Sequence, residues 1–357
     1  MLNEKNKGRG VKANNPNRFE KIYIDPSSYE EFHEEDYDEH EQGAKTIYYK
    51  DFSKSVLTKN ESPDLGAGYS INPYRGCEHG CVYCYARPTH EYLGFSSGLD
   101  FETKIMVKHD APELLAAEFN KKSWQPRTIF FSGNTDCYQP AERSLGITRR
   151  CLEVFLKFRN PLVIITKNSL VRRDVDLLKE LSSLNLVSVV VTITTLKKDL
   201  QSKLEPRTST PERRLDTIEF LSSNGVKVGV NVAPIIPGLT DEEIPSIIKQ
   251  SSERGARFAG RVMIRLPHSV KEIFTDWITK EYPDRAEKVL NRIREVHGGK
   301  LYDHTYGKRL TGEGVWADAI SNVFESSCRK YGLNEDRLKL DKGKFRRDND
   351  QMSFFDN

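Results

Sequence analysis

The stretch INPYRGCEHGCVYCYARPTHEY, residues 71–92, decides how the rest of the chain is read. Cys77, Cys81 and Cys84 are spaced C-x3-C-x2-C. Thiolates are the natural ligands of iron–sulfur clusters. Gaps of three and two residues let a short loop wrap three corners of a cubane. Gly76 and Gly80 supply tight turns beside it. No fourth cysteine lies nearby, so one iron would lack a protein ligand. An open metal position signals catalysis rather than scaffolding, as it does for zinc. A zinc site is the alternative: Cys77, His79, Cys81 and Cys84 offer four ligands, although alternate residues so close together would strain a tetrahedral shell. His90 is a further loop histidine that a metal could use.

Outward from this loop, strand-like and helix-like stretches alternate. A first strand is expected near 68–73, just before the cysteines. RTIFF (127–131), PLVIIT (161–166), LVSVVVTIT (186–194), VKVGVNVAP (226–234) and FAGRVMIRL (258–266) follow. Near-continuous apolar runs suit parallel strands covered on both faces. Amphipathic stretches separate them. One carries Val171, Val175 and Leu178 on a single face, and another, 212–223, ends at Asn224-Gly225. Thr240 and Glu243 have the spacing of a capping box. Six β-α units joined by right-handed crossovers give an open doubly wound sheet or a partial barrel. In both, chemistry collects at the C-terminal ends of the strands, where the cysteine loop also falls.

The 357 residues carry 30% charged and 37% hydrophobic side chains. No apolar run approaches the roughly 20 residues that span a bilayer. The beginning, MLNEKNKGRG, lacks the apolar stretch of a secretory signal. Six cysteines in a chain this long, three of them clustered, indicate metal rather than disulfides and a reducing compartment. A cytoplasmic location is therefore expected. The net charge of +3 hides an asymmetry, because segment 29–42, YEEFHEEDYDEHEQ, holds eight acidic residues and no Lys or Arg. With those eight set aside the charge is +11, compatible with a nucleic-acid partner or simply with a solvated basic surface.

Residues 1–62 read as a polar, acidic, largely disordered extension that the fold does not need. The catalytic core is expected over 63–300, a helical segment over 301–340 and a mobile polar tail over 341–357.

The loop resembles the signature of the radical S-adenosylmethionine (SAM) superfamily, with an aromatic residue, Tyr83, before the last cysteine. The resemblance spans about 65–300 and implies a partial (β/α)6 TIM-type barrel, a 4Fe–4S cluster on the three cysteines and SAM on the open iron. It also implies reductive cleavage of SAM to a 5′-deoxyadenosyl radical, and a flavodoxin- or ferredoxin-type reductant. VYCYARPTHEY, SGNTDCYQPAE, ITKNSLVRRDVDLL, TITTL…LEPRTSTPERRL and VAPIIPGLTD resemble the spore photoproduct lyase-related (DNA repair photolyase-like) branch, in an uncharacterised subgroup. In that branch the tyrosines flanking the last cysteine, here Tyr83 and Tyr85, are implicated in radical relay. The lyase also has a cysteine after strand two that returns hydrogen to product. Here that position is Gly133, and Cys137 is the nearby thiol available for the role.

By the same resemblance, Ser132, Gly133 and Asn134 stand where the SAM amino group is bound, although Ser and Asn also cap turns. Lys167, at the end of its strand, is expected to meet the SAM carboxylate or to be solvated at a helix entrance. Thr194 is expected at the carboxylate or ribose. Glu205 and Arg207 are expected to pair with each other, or Arg207 with the SAM carboxylate. Asn231 needs a polar partner inside its strand, and Arg265 is expected at an anionic substrate or the SAM carboxylate. The substrate is read as nucleic acid, with a protein or small metabolite as the alternative. A non-catalytic Fe–S or zinc module is the alternative from another class.

Overall fold

The computed structural model describes residues 8–11, 13–15, 17–18, 45–64, 68–336 and 339–348. In chain order the strands are β1 (Ile47–Lys50), β2 (Leu57–Lys59), β3 (Tyr69–Ile71), β4 (Tyr74–Arg75), β5 (Lys104–Val107), β6 (Ile129–Phe131), β7 (Leu162–Thr166), β8 (Val187–Thr192), β9 (Val228–Ile235) and β10 (Phe258–Met263). Seven of them form one sheet in the order β10-β9-β8-β7-β6-β3-β2. Each neighbour from β3 to β10 is parallel, and these are the six strands anticipated, five from the apolar runs and the first from its place before the cysteines. Helices Ile147–Phe158, Val175–Ser183, Pro211–Ser223 and Ile244–Glu253 alternate with them, giving the α/β architecture of a partial barrel. Leu162, Ile164, Val189, Val191, Val228 and Val230 of the strands share one apolar core with Phe155, Leu178, Ile218 and Ile247 of the helices. Each such fully buried side chain contributes about 1.5–3 kcal/mol against exposure.

Strand order places β2 and β10 at opposite edges, and the chain covers the gap between them. Leu310 O accepts from Met263 N at 2.8 Å along the β10 edge. Arg309 meets Asp64 at 2.5 Å, beyond β2. Residues past 300 thus take part in the core region, which was expected to stop there.

Three expectations need correction. The extension is not featureless: β1 pairs with β5, and β2 adds an antiparallel strand beside β3. Strands of three or four residues with exposed side chains, such as Ile47 and Tyr48, carry too little apolar alternation to be read. The small sheet β1-β5-β4 was likewise not anticipated. The acidic run 29–42 lies outside the described residues. The tail is not loose over its described part: the Phe345 ring meets Phe119 at 6.1 Å and Arg346 N donates to Phe158 O at 3.0 Å. One aromatic among many charges is enough to seat it. The capping box does not form, because Glu243 bonds Thr195 and the Leu196 amide instead. No helix among the described residues is long and apolar enough to cross a membrane.

Candidate active site

The cysteine loop leaves β4 at the C-terminal end of the parallel sheet. Gly80 has φ +68°, and a side chain there would meet the Glu102 carboxylate. Cys77 N donates to Phe101 O at 2.9 Å. Arg87, fully buried, donates through Nε to Cys81 O at 3.0 Å and through Nη2 to Glu102 at 2.5 Å. Gln139, also fully buried, accepts from Glu78 N and donates to Gly76 O. Arg87 and Gln139 thus brace the loop at both ends. Neither was singled out from sequence, because an Arg and a Gln outside any spacing pattern give no signal.

The three cysteines share a cavity of about 310 Å³ with Tyr83, Tyr85, Ser132, Gly133, Asn134, Lys167, Asn231 and Arg265. Burial pushes the thiols of Cys77, Cys81 and Cys84 up, so their thiolates call for a positively charged metal group to stabilise them. No three described His, Cys, Asp or Glu side chains converge on a point as a single ion requires. His79 is engaged elsewhere, with Nδ1 3.5 Å from Asp136 and Nε2 3.2 Å from the Asn168 amide. With His79 so held, the loop offers three thiolates and no fourth loop ligand for a tetrahedral zinc, a donor set that suits three corners of a cluster. Residues 71–250, half of the chain, match the sequence profile of the Radical SAM superfamily.

The chain belongs to the radical SAM superfamily. It is 34% identical over 255 residues to an uncharacterized protein of Mycobacterium tuberculosis, covering 70% of this chain and 73% of that one. It is 22% identical over 304 residues to a radical SAM Nalpha-GlyT isomerase of Pseudomonas phage M6, covering 75% of this chain and 61% of that one. Its fold is similar to that of spore photoproduct lyase complexed with dinucleoside spore photoproduct, with TM-score 0.58, 16% identity, and coverage of 82% and 81%. Radical SAM enzymes use a 4Fe–4S cluster and SAM, and a neighbouring lyase structure holds bound SAM.

Within this cavity the expected residues separate into two groups. Ser132, Gly133 and Asn134 follow β6 as expected. Ser132 adopts φ 80°, a strained conformation for a non-glycine, and its Oγ accepts from Cys137 N at 2.7 Å. A side chain on Gly133 would lie 2.7 Å from Ser70 Cβ, so this backbone has no room for a cysteine there. Lys167 follows β7 and reaches the cavity, with Nζ 3.8 Å from Glu205 and 3.3 Å from Ala233 O. Asn231 faces the cavity from β9.

The others do not reach it. Cys137 is fully buried in the apolar core, where desolvation pushes its thiol up. Thr194 Oγ1 sits 2.6 Å from Glu205 and 2.7 Å from Ala233 O, so its hydroxyl is already spent. Arg207 lies 3.2 Å from Glu78 instead of pairing with Glu205. Glu205 bonds Arg214, and Tyr83 donates its hydroxyl to the same carboxylate. Burial pushes the Glu205 carboxyl up, but Arg214 and Lys167 outweigh it and hold it at about 2. The partner nine residues away was missed because adjacency in sequence suggested Arg207.

One histidine under the loop makes the fold pH-sensitive. His90 is fully buried against Phe95 and Phe101, and its Nδ1 makes no hydrogen bond. Burial lowers its pKa from 6.5 to about 4. Between those values the unfolded chain binds a proton that the folded chain refuses. Stability is therefore whole above 6.5 and falls as pH drops towards 4, by up to roughly 3 kcal/mol. Urea midpoints at descending pH should show this slope, and His90→Gln should flatten it by one proton. An unchanged slope in the variant would assign it to other groups.

Proposed function

We propose that Cys77, Cys81 and Cys84 hold the cluster, that Ser132, Asn134, Lys167 and Asn231 surround SAM, and that hydrogen is abstracted from a nucleic-acid substrate. When bound, the cluster supplies the electron that splits SAM into methionine and a 5′-deoxyadenosyl radical. This chain's residues do the rest. Lys167 offers a cation to the SAM carboxylate, Asn231 an amide, and the Ser132–Asn134 turn its close backbone. Glu205, with Arg214, fixes Tyr83 and positions Lys167.

The observation that carries the substrate reading is the pairing of Tyr85 and Arg265 on the cavity wall. The Tyr85 hydroxyl donates to Gly133 O at 2.6 Å, which fixes the ring. The Arg265 guanidinium lies 4.9 Å over that ring and forms no ion pair with a described carboxylate. A flat cation stacked on an aromatic face suits a ligand that has both a planar base and an anionic backbone. The basic excess of the chain outside its acidic run supports the same reading. So does the likeness to a lyase whose structure contains a dinucleoside. Photoproduct repair itself is not proposed, because no thiol stands at Gly133 and Cys137 is sealed in the core.

The test uses the anaerobically reconstituted full chain with SAM and dithionite. 5′-Deoxyadenosine should form slowly alone and several-fold faster with single-stranded oligonucleotides. Oligonucleotide affinity should fall steeply with salt, since phosphate contacts release counterions. Arg265→Ala should weaken that affinity about tenfold or more and leave the cluster in place. Tyr85→Phe should spare the uncoupled cleavage. Binding that is absent at low salt, with no stimulation, would shift the substrate to a protein or metabolite.

A further inference from the structure

Resting on the radical SAM reading above, we propose that Asp136 tunes the cluster. Its carboxylate, held beside Cys77 without a compensating cation, lowers the reduction potential and makes the electron delivered to SAM more strongly reducing.

Three observations carry this. The first is place. Asp136 follows β6 and lines the same cavity as Cys77, Cys81 and Cys84, with its side chain 10% exposed. Its backbone N–H and that of His79 donate to the Cys77 sulfur. After burial itself, the Asp136 carboxylate does most to push the Cys77 thiol up.

The second is that the side chain is surrounded by donors. Its oxygens accept from the Thr166 hydroxyl at 2.8 Å, from Tyr138 N at 2.8 Å and from Lys167 N at 2.7 Å. The Thr166 hydroxyl itself accepts from Asn168 N, which leaves its proton for Asp136. Donors on both oxygens suit an ionised carboxylate, which only accepts.

The third is that nothing cancels the charge. No described Lys or Arg forms an ion pair with Asp136, whose partner is His79 Nδ1 at 3.5 Å. Asn168 Oδ1 accepts from Leu170 N, which turns the Asn168 amide nitrogen towards His79 Nε2. Nε2 is therefore the accepting nitrogen, Nδ1 carries the single ring proton, and the imidazole is neutral. The Lys167 ammonium lies by Glu205 instead. Glu78, the carboxylate adjacent to Cys77 in sequence, differs in having Arg207 at 3.2 Å.

An uncompensated negative charge in a poorly solvated site raises the free energy of a further electron nearby. One electron enters the cluster from a one-electron reductant, and the same electron passes to SAM, where the bond from sulfur to the 5′ carbon breaks. Asp136 gives up no proton and forms no bond in this step. A purely structural role, tying the β6 turn to the end of β7, would need the hydrogen bonds of Asp136 but not its charge.

The test is a redox titration of the reconstituted full chain without SAM, followed by electron paramagnetic resonance. At a fixed applied potential, Asp136→Asn should raise the ratio of reduced to oxidised cluster about tenfold, equivalent to about 59 mV for one electron. Once reduced, that variant should split SAM more slowly in a single turnover. Asp136→Glu keeps the charge while disturbing the same hydrogen bonds, and should bring the ratio back towards wild type. Thr166→Val removes one donor and leaves the carboxylate less screened, so the ratio should fall several-fold. A structural role alone would not reverse sign between these variants. Asp136→Asn with its cluster loaded and a wild-type potential would overturn the proposal. If Asp136→Asn takes up no cluster, an unchanged or raised ratio in Thr166→Val overturns it. A wild-type chain that takes up no iron would overturn the assignment of the three cysteines and the tuning with it, whereas a cluster indifferent to Asp136 removes the tuning alone.

Discussion

Cys77→Ala, Cys81→Ala and Cys84→Ala should each abolish the cluster, and with it all 5′-deoxyadenosine formation, whereas Cys137→Ala should keep both. Wild-type protein should carry about four iron and four sulfide per chain after reconstitution. The contrast comes from position. Cys77 and Cys81 are only 6% and 8% exposed yet line the cavity, and Cys84 joins them there. Cys137 is fully buried in the apolar core that also holds Ile71, Phe131 and Cys151, and it does not line the cavity. Its loss removes a small core group and costs stability, not chemistry. Iron analysis, absorbance and chromatography of the nucleoside distinguish the outcomes. Stoichiometric zinc without iron uptake, or loss of cleavage in Cys137→Ala with its cluster intact, would contradict the assignment.

Deleting residues 1–18 should weaken the fold by about 2–5 kcal/mol and make the cluster easy to strip with chelator. The described residues of that segment, 8–11, 13–15 and 17–18, contact the cysteine loop and the residues that brace it. Gly10 N and Val11 N donate to the buried Glu102 carboxylate at 3.0 and 3.1 Å, beside its ion pair with Arg87. Arg9 reaches Glu102 O and Thr46. Asn14 bonds Asp100, and Arg18 pairs with Glu91 at 2.6 Å. Without the segment, a buried carboxylate loses two donors next to the arginine that holds Cys81 O. Gly10→Val is the smaller test in the same direction, since a Cβ there would fall 1.6 Å from Gly80 O. Chemical denaturation and the rate of iron release to chelator measure both. A deletion variant of wild-type stability that keeps its cluster would show that this contact has no role, as the reading of 1–62 as a dispensable extension supposed.

That difference marks where sequence reading stops. Five of the six parallel strands were legible because each is a run of apolar, β-branched residues; the first, with the sequence YSI, was placed only by its position before the cysteine loop. The cysteine loop was legible because its ligands lie within eight residues, so spacing alone carries the chemistry. Ser132–Asn134 and Lys167 could be placed, with the help of the family resemblance, because they follow the C-terminal ends of parallel strands, whereas Asn231, inside β9, was read as a polar residue in need of a partner. None of these inferences needed a long-range contact.

The rest depended on such contacts. Arg9, Gly10, Arg87, Glu102 and Gln139 form a brace around the cysteines through hydrogen bonds that join residues up to 93 positions apart. Glu205 could have paired with Arg207 or Arg214, and only the packing of helix Pro211–Ser223 settled that it was Arg214. By itself the sequence determined the strand series, the metal-binding loop and the end of the sheet where they meet, because local periodicity and ligand spacing are properties of short segments. Only the tertiary structure decided which charges neutralise one another, that Cys137 is out of reach, and that the N-terminal segment closes over the loop, because a buried charge takes whichever partner the fold brings within hydrogen-bonding distance.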